Sequence, residues 1–208
     1  MKTKLNVFVG LISVLIACNP AQKKTETATA DDTKRKLFLD VHDFGPGKVN
    51  FEAVAGAHQK DLATQKEFDV SFIKYWVDEQ AGKVYCLAES SSEANMFKTH
   101  QKAHGLVPDY IMQVTDGPEA SLKGKQLFLD THHLEPGSVT AEAVADAHKK
   151  DLAVQGKYDV NFVNYWLDAK QGTVVCLSEA PDSLAVIRTH TEAHGLVPSK
   201  VERVQQGQ

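Results

Sequence analysis

The chain carries one apolar/polar pattern twice. In the first copy "KLFLDVH" (36–42) alternates with period two, as a strand with two distinct faces does. Over 49–66 the apolar positions Phe51, Val54, Ala55 and Leu62 recur at helical spacing. "VSFIKYWVD" (70–78) is rich in β-branched and aromatic residues, and the turn "EQAG" leads from it into "KVYCLAE" (83–89), which reads as a hairpin. Residues 91–104 are helical again. Gly105 stands where a helix C-cap glycine belongs, and Pro108 stops continuation. "YIMQV" (110–114) closes the unit. The order strand, helix, strand, strand, helix, strand is the ferredoxin-like split motif.

Residues 37–117 align with 127–207 at a constant offset and without gaps, and 40 of the 81 positions are identical. A unit of this length is a duplicated small domain rather than a solenoid repeat. The organisation expected is repeat 1 over 36–117, a linker over 118–125 and repeat 2 over 126–207. Alternation assigns Leu37, Leu39 and Val41 to the helix side of the first strand and Phe38, Asp40 and His42 to the open side. On the second strand Ile73, Tyr75 and Val77 are assigned to the helices and Phe72, Trp76 and Asp78 to the open face; on the third, Val84, Cys86 and Ala88 to the helices and Tyr85, Leu87 and Glu89 to the open face. That open face then carries Phe38, Phe72, Trp76 and Leu87, matched in the second copy by Phe128, Phe162, Trp166 and Leu177. It is too apolar for water. At about 1.5–3 kcal/mol per buried side chain, the fold class expected is α+β: two tandem ferredoxin-like domains packed sheet to sheet as a pseudo-dimer, in the manner of a dimeric α+β barrel. The chain itself is expected to be monomeric.

Composition changes the picture mainly at the N-terminus. The chain of 208 residues is 42% hydrophobic and 24% charged with a formal charge of −4, and no basic stripe suggests a nucleic-acid partner. Residues 1–17, with Lys2 and Lys4 ahead of an apolar run, match a secretory signal, too short for a spanning helix. Leu15-Ile16-Ala17-Cys18 resembles the lipobox of bacterial lipoproteins, which implies cleavage before Cys18 and lipidation of its sulfur. Residues 18–35 read as a disordered tether. The expectation is a lipid-anchored protein of the bacterial cell envelope, on the periplasmic or outer-membrane side. Cys86 and Cys176 occupy matching places and read as buried apolar residues, although an exported context permits a disulfide.

The candidate chemistry lies in what duplication left unchanged. Eight of the nine histidines form matched pairs: His42/His132, His58/His148, His100/His190 and His104/His194; His133 stands opposite Asp43. Asp40/Asp130, Asp61/Asp151, Gln65/Gln155 and Glu89/Glu179 are retained too. With the first and third strands taken as parallel neighbours, His42, Asp40 and Glu89 form one cluster in the inter-sheet face, where ionised groups need pairing or a cation. With the two helices taken as parallel, His58 and His100 come level, and Asp61 and His104 follow one turn on. Tyr75 and Cys86, with Tyr165 and Cys176 in the second copy, lie beneath them, and Trp76 and Trp166 line the inter-sheet cavity. The metal-ligand set expected is therefore His42, His58, Asp61, Glu89, His100 and His104, with His132, His148, Asp151, Glu179, His190 and His194. Asp40, Gln65, Asp130 and Gln155 support it. Structural readings compete: His104 beside Gly105 also suits a helix C-terminus, and a histidine–carboxylate pair also sets packing register.

The segments "DVHDFGPG", "AHQKDLATQ", "YWVDEQAGKVYCLAES" and "THQKAHGLVP", with "DTHHLEPG", "AHKKDLAVQGKYDV", "YWLDAKQGTVVCLSEAP" and "THTEAHGLVP", resemble the small ferredoxin-like nickel-binding proteins, a family long catalogued as a domain of unknown function. The resemblance covers nearly all of both units. It implies a ferredoxin-like sheet, dimerisation through that sheet and the nickel binding found in at least some members, so the cofactor expected is a divalent transition metal, nickel first; imidazole and carboxylate donors also suit zinc or copper. The function expected is metal sequestration, sensing or delivery. No nucleophile–base–orienter spacing and no phosphate loop is legible. Two alternatives stay open: an enzyme or small-molecule binder of the dimeric α+β-barrel type, with His42 or Glu89 as base in an inter-sheet cavity, and a non-metal module for an unknown protein partner.

Overall fold

The computed structural model describes residues 34–208. The signal segment, Cys18 and nearly all of the tether lie outside the described residues. The first repeat runs β1 (Lys36–Asp43), α1 (Phe51–Thr64), β2 (Val70–Asp78), β3 (Lys83–Ser90), α2 (Glu93–Ala103) and β4 (Tyr110–Asp116). The second runs β5 (Leu127–His133), α3 (Ala141–Val154), β6 (Asn161–Asp168), β7 (Thr173–Glu179), α4 (Ser183–Ala193) and β8 (Lys200–Gly207). Each repeat is a ferredoxin-like βαββαβ unit. The N-caps are the residue types the sequence offers: Asn50, Ser92, Thr140 and Asp182 each accept a backbone N–H three residues on.

The eight strands form one closed barrel in the order β1-β3-β2-β8-β5-β7-β6-β4. The last strand of each repeat crosses to the other: β8 pairs with β2, and β4 with β6. Closure leaves no free sheet edge among the described residues. The interior holds Leu39, Val41, Trp76, Tyr85, Leu87, Met112 and Val114 with Leu129, Val163, Trp166, Val175, Leu177 and Val204. Trp76 and Trp166 meet at its centre, ring centroids 5.0 Å apart.

This packing corrects three expectations. On β1 the alternation holds but its phase is reversed: Leu37, Leu39 and Val41 face the barrel, while Phe38, Asp40 and His42 face the helices. Both faces of this strand are buried, so hydrophobicity alone does not fix which is which. On β2 a bulge between Phe72 and Lys74 turns Phe72 to the helix side and Ile73 to the barrel. Phe128 and Phe162 likewise pack against the helix side of the second repeat. Finally, β1 and β3 are antiparallel, with Leu37 opposite Glu89 and His42 opposite Val84. His42 and Glu89 therefore stand at opposite ends of the pair. The same strand directions make α1 and α2 antiparallel.

The seam has its own glycine requirement. Gly117 donates its N–H to the Tyr165 carbonyl, and a Cβ on it would fall 2.2 Å from the Tyr165 ring; on Gly207 it would fall 2.0 Å from the Tyr75 ring. Gly117→Ala and Gly207→Ala are each expected to destabilise by about 1–3 kcal/mol, the usual range for overpacking, read as a lowered urea midpoint. An unchanged midpoint would show that the seam is loose.

Candidate metal centre

Between the helices and the sheet of each repeat lies a cavity, of about 290 Å³ in the first and about 190 Å³ in the second. Its polar wall is formed by His42 of β1, His58 and Asp61 of α1 and His100 and His104 at the end of α2, with Asp40 of β1 buried behind His42 and His100. His100 and His104 are one helical turn apart and share a face. His100 is 1% exposed and Asp40 fully buried.

His100 stands between the two carboxylates: its Nε2 is 3.0 Å from Asp40 Oδ2 and its Nδ1 is 3.1 Å from Asp61 Oδ1. His42 Nε2 lies 3.3 Å from Asp40 Oδ1. The second repeat repeats this: His190 Nε2 is 3.3 Å from Asp130 Oδ1, its Nδ1 is 3.0 Å from Asp151 Oδ1, and His132 Nε2 is 3.1 Å from Asp130 Oδ1. Burial works against the charged His100 ring, but hydrogen bonds to Asp40 and Asp61 outweigh it and raise its pKa to about 10; for His190, burial is outweighed by its close contacts with the Asp130 and Asp151 carboxylates, which raise it to about 9. Burial likewise opposes ionised Asp40, yet His100 and His42 hold its carboxyl at about 2. Without a metal, the cluster is an imidazolium clamped by two carboxylates.

His104 plays a different part. Its Nδ1 accepts the Leu106 N–H at 3.1 Å, so Nε2 carries the proton and donates to Asp61, 3.2 Å from Oδ2. The Leu196 N–H fixes His194 identically. These two histidines brace Asp61 and Asp151. His58 does not meet His100 because the helices are antiparallel. It packs on Tyr75 with centroids 4.6 Å apart, burial lowers its pKa, and its buried Nδ1 has no partner among the described residues. His148 sits on Tyr165 at 5.0 Å, and burial lowers its pKa too.

The remaining retained residues are placed elsewhere. Gln65 and Gln155 accept the Phe72 and Phe162 N–H groups at 2.8 Å, which ties the end of each first helix to the next strand. Glu89 is exposed and meets Arg35 at 3.4 Å. Glu179 is buried and accepts the Lys123 and Lys125 N–H groups. Both carboxylates secure the chain entering their repeat. Among the described residues Cys86 and Cys176 form no disulfide; both lie buried beneath the cavities, and burial raises the pKa of both thiols. Trp76 and Trp166 are inside the barrel. His42 and His132 open to the cavities under the helices rather than to the space between the sheets, so the geometry of an inter-sheet base is not formed.

The donor chemistry fits a divalent transition ion. In each repeat two donor groups converge: Asp40, His42 and His100, and Asp61, His100 and His104, with Asp130, His132 and His190 and Asp151, His190 and His194 as counterparts. Among the described residues, Asp40 Oδ1 and both oxygens of fully buried Asp130 lack a directed hydrogen bond, which is costly for a buried carboxylate left without a cation. Asp40 seemed a supporting residue in the sequence. The reversed phase of β1 is what brings it to the centre.

A family model described as "Nickel responsive protein SCO4226-like" matches the chain twice, over residues 38–114 and 128–204. The crystal structure of SCO4226 from Streptomyces coelicolor A3(2) is 37% identical, covering 36% of this chain and 91% of that one, with a TM-score of 0.35. An anthrone oxidase-like protein of known structure is 10% identical, covering 85% of this chain and 94% of that one, with a TM-score of 0.47. No curated protein matches the chain significantly.

Proposed function

Since the chain belongs to the SCO4226-like family of nickel responsive proteins, we propose that it binds a divalent transition metal, nickel, at two sites, one in each repeat. The observation that carries this reading is the twice-built convergence of Asp40, His42 and His100, and of Asp130, His132 and His190. When His100 gives up one proton, it keeps Nδ1–H on Asp61 and turns the Nε2 lone pair toward Asp40 and His42. That is the carboxylate–histidine–metal arrangement, in which the outer carboxylate fixes tautomer and ring orientation. Asp40, His42 and His100 hold the ion, Asp61 orients His100, and His104 braces Asp61. The metal would supply charge that replaces the imidazolium proton between the carboxylates.

Imidazole and carboxylate donors also accept zinc and copper, and raw affinity order favours copper. Nickel follows from the family. The role is sequestration, sensing or delivery at the cell envelope, with lipid on Cys18 as the membrane anchor. Calorimetric titration of metal-free protein with nickel, zinc and copper tests the binding; two nickel ions per chain are expected. Incorporation of labelled palmitate, lost in Cys18→Ser, tests the anchor. An unlabelled wild-type protein would remove it.

A further inference from the structure

The size and lining of the two cavities go beyond what an ion needs. A water molecule takes about 30 Å³ in the liquid, so the first cavity, at about 290 Å³, has room for roughly ten. A first-row ion held by three protein donors has only one to three positions left to fill. The rest of the wall is apolar: Phe44, Val49, Val54, Ala57, Val84 and Leu106. Apolar space beside a polar wall is the character of a small-molecule site.

A second observation points to a ligand. His42 and His58 line this cavity at 4% and 3% exposure, and the Nδ1 of each is buried without a partner among the described residues. Lys48 stands at the rim. An ion held by Asp40 beside Asp61, with Lys48 at the entrance, leaves a formal charge of one positive unit that a monoanion cancels. Resting on the metal-binding reading above, we infer that the site takes its metal as a complex with a small, mostly apolar organic carboxylate, whose body fills the cavity and whose carboxylate reaches the ion and Lys48. In the second repeat Ser138 replaces Lys48 and the cavity is smaller, so that site holds the complex more weakly.

Equilibrium dialysis of the full chain with radiolabelled picolinate (pyridine-2-carboxylate), with and without nickel, tests this, with acetate as the carboxylate that lacks an apolar body. Nickel-dependent retention of about one picolinate per bound nickel is expected, with affinity at least about tenfold above that for acetate. Ala57→Phe, which fills the first cavity, should remove at least half of the retained picolinate and leave uptake of nickel alone at two ions. Lys48→Gln, at the rim, should weaken retention at the first site without affecting folding. Nickel bound with no picolinate retained, picolinate that strips the metal, acetate held equally well, or retention unaffected by Ala57→Phe would each overturn the inference and leave the metal site standing. Failure to bind nickel in either form would remove both. Uptake of nickel only with picolinate would support the inference and correct the simpler reading.

Discussion

Replacing His100 by alanine is expected to remove one of the two nickel ions and to destabilise the metal-free protein by about 3–5 kcal/mol, the usual cost of breaking a buried ion pair from one side. His100 is almost fully buried and, among the described residues, is the only ring that faces both Asp40 and Asp61 at 3.0–3.1 Å. Without it, two buried carboxylates face each other with no imidazolium between them. His190→Ala should act alike on the second site through Asp130 and Asp151. Urea denaturation with metal removed reads the stability change. Nickel stoichiometry, measured under conditions where the variant stays folded, reads the site. A variant as stable as the wild type would show that His100 is neutral and carries little of the fold.

Stability and nickel uptake should both depend on pH, in opposite senses. The His100 pKa is raised from 6.5 to about 10, so its contribution to stability is fully present below 6.5 and is lost as pH rises through about 10. His190 behaves in the same way, through about 9. The Asp40 pKa is lowered from 3.8 to about 2, so its contribution is present above 3.8 and is lost as pH falls through about 2. Buried His58 and His148, whose pKa values are lowered, act the other way: their contribution is present above 6.5 and is lost as pH falls below it, so metal-free protein should be most stable near pH 6.5. Nickel must displace one proton from His100, so its apparent affinity should rise by about tenfold per pH unit from neutrality upward. An ordinary histidine would stop competing above about pH 6.5. The carboxylate clamp is what carries the competition into the alkaline range. A nickel affinity that is flat from pH 7 to 9 would contradict His100 as a ligand.

The elements were legible because each leaves a local mark. The period-two strands, the capped helices and the Gly105-Leu106-Val107-Pro108 stop all recur in the structure at the expected places. The gapless repeat and two apolar sheet faces also pointed to the sheet-to-sheet pair. What could not be read is what depends on partners. In a barrel covered by helices, β1 is buried on both sides, so Phe38-Asp40-His42 and Leu37-Leu39-Val41 are equally good candidates for either face. The bulge at Phe72 leaves no composition signal. The direction of β3 follows from the split-motif topology, and taking it as parallel to β1 placed Glu89 with His42 and His58 level with His100. The histidines themselves were found by their survival in both copies. Their division into clamp (His100), brace (His104), neighbour of Asp40 (His42) and unpartnered ring (His58) required the structure.

The double variant His42→Ala/His132→Ala tests the central claim most directly. It removes one donor from each site and leaves His100 and His190 clamped by their carboxylates, so the fold is retained. Nickel titrated into the full chain at pH 8 should bind at two ions per chain in the wild type, and at least about a hundredfold more weakly in the variant, in line with loss of a ligand that closes the site. Equal affinity in the two proteins, or no binding to the wild type at micromolar nickel, would contradict the account.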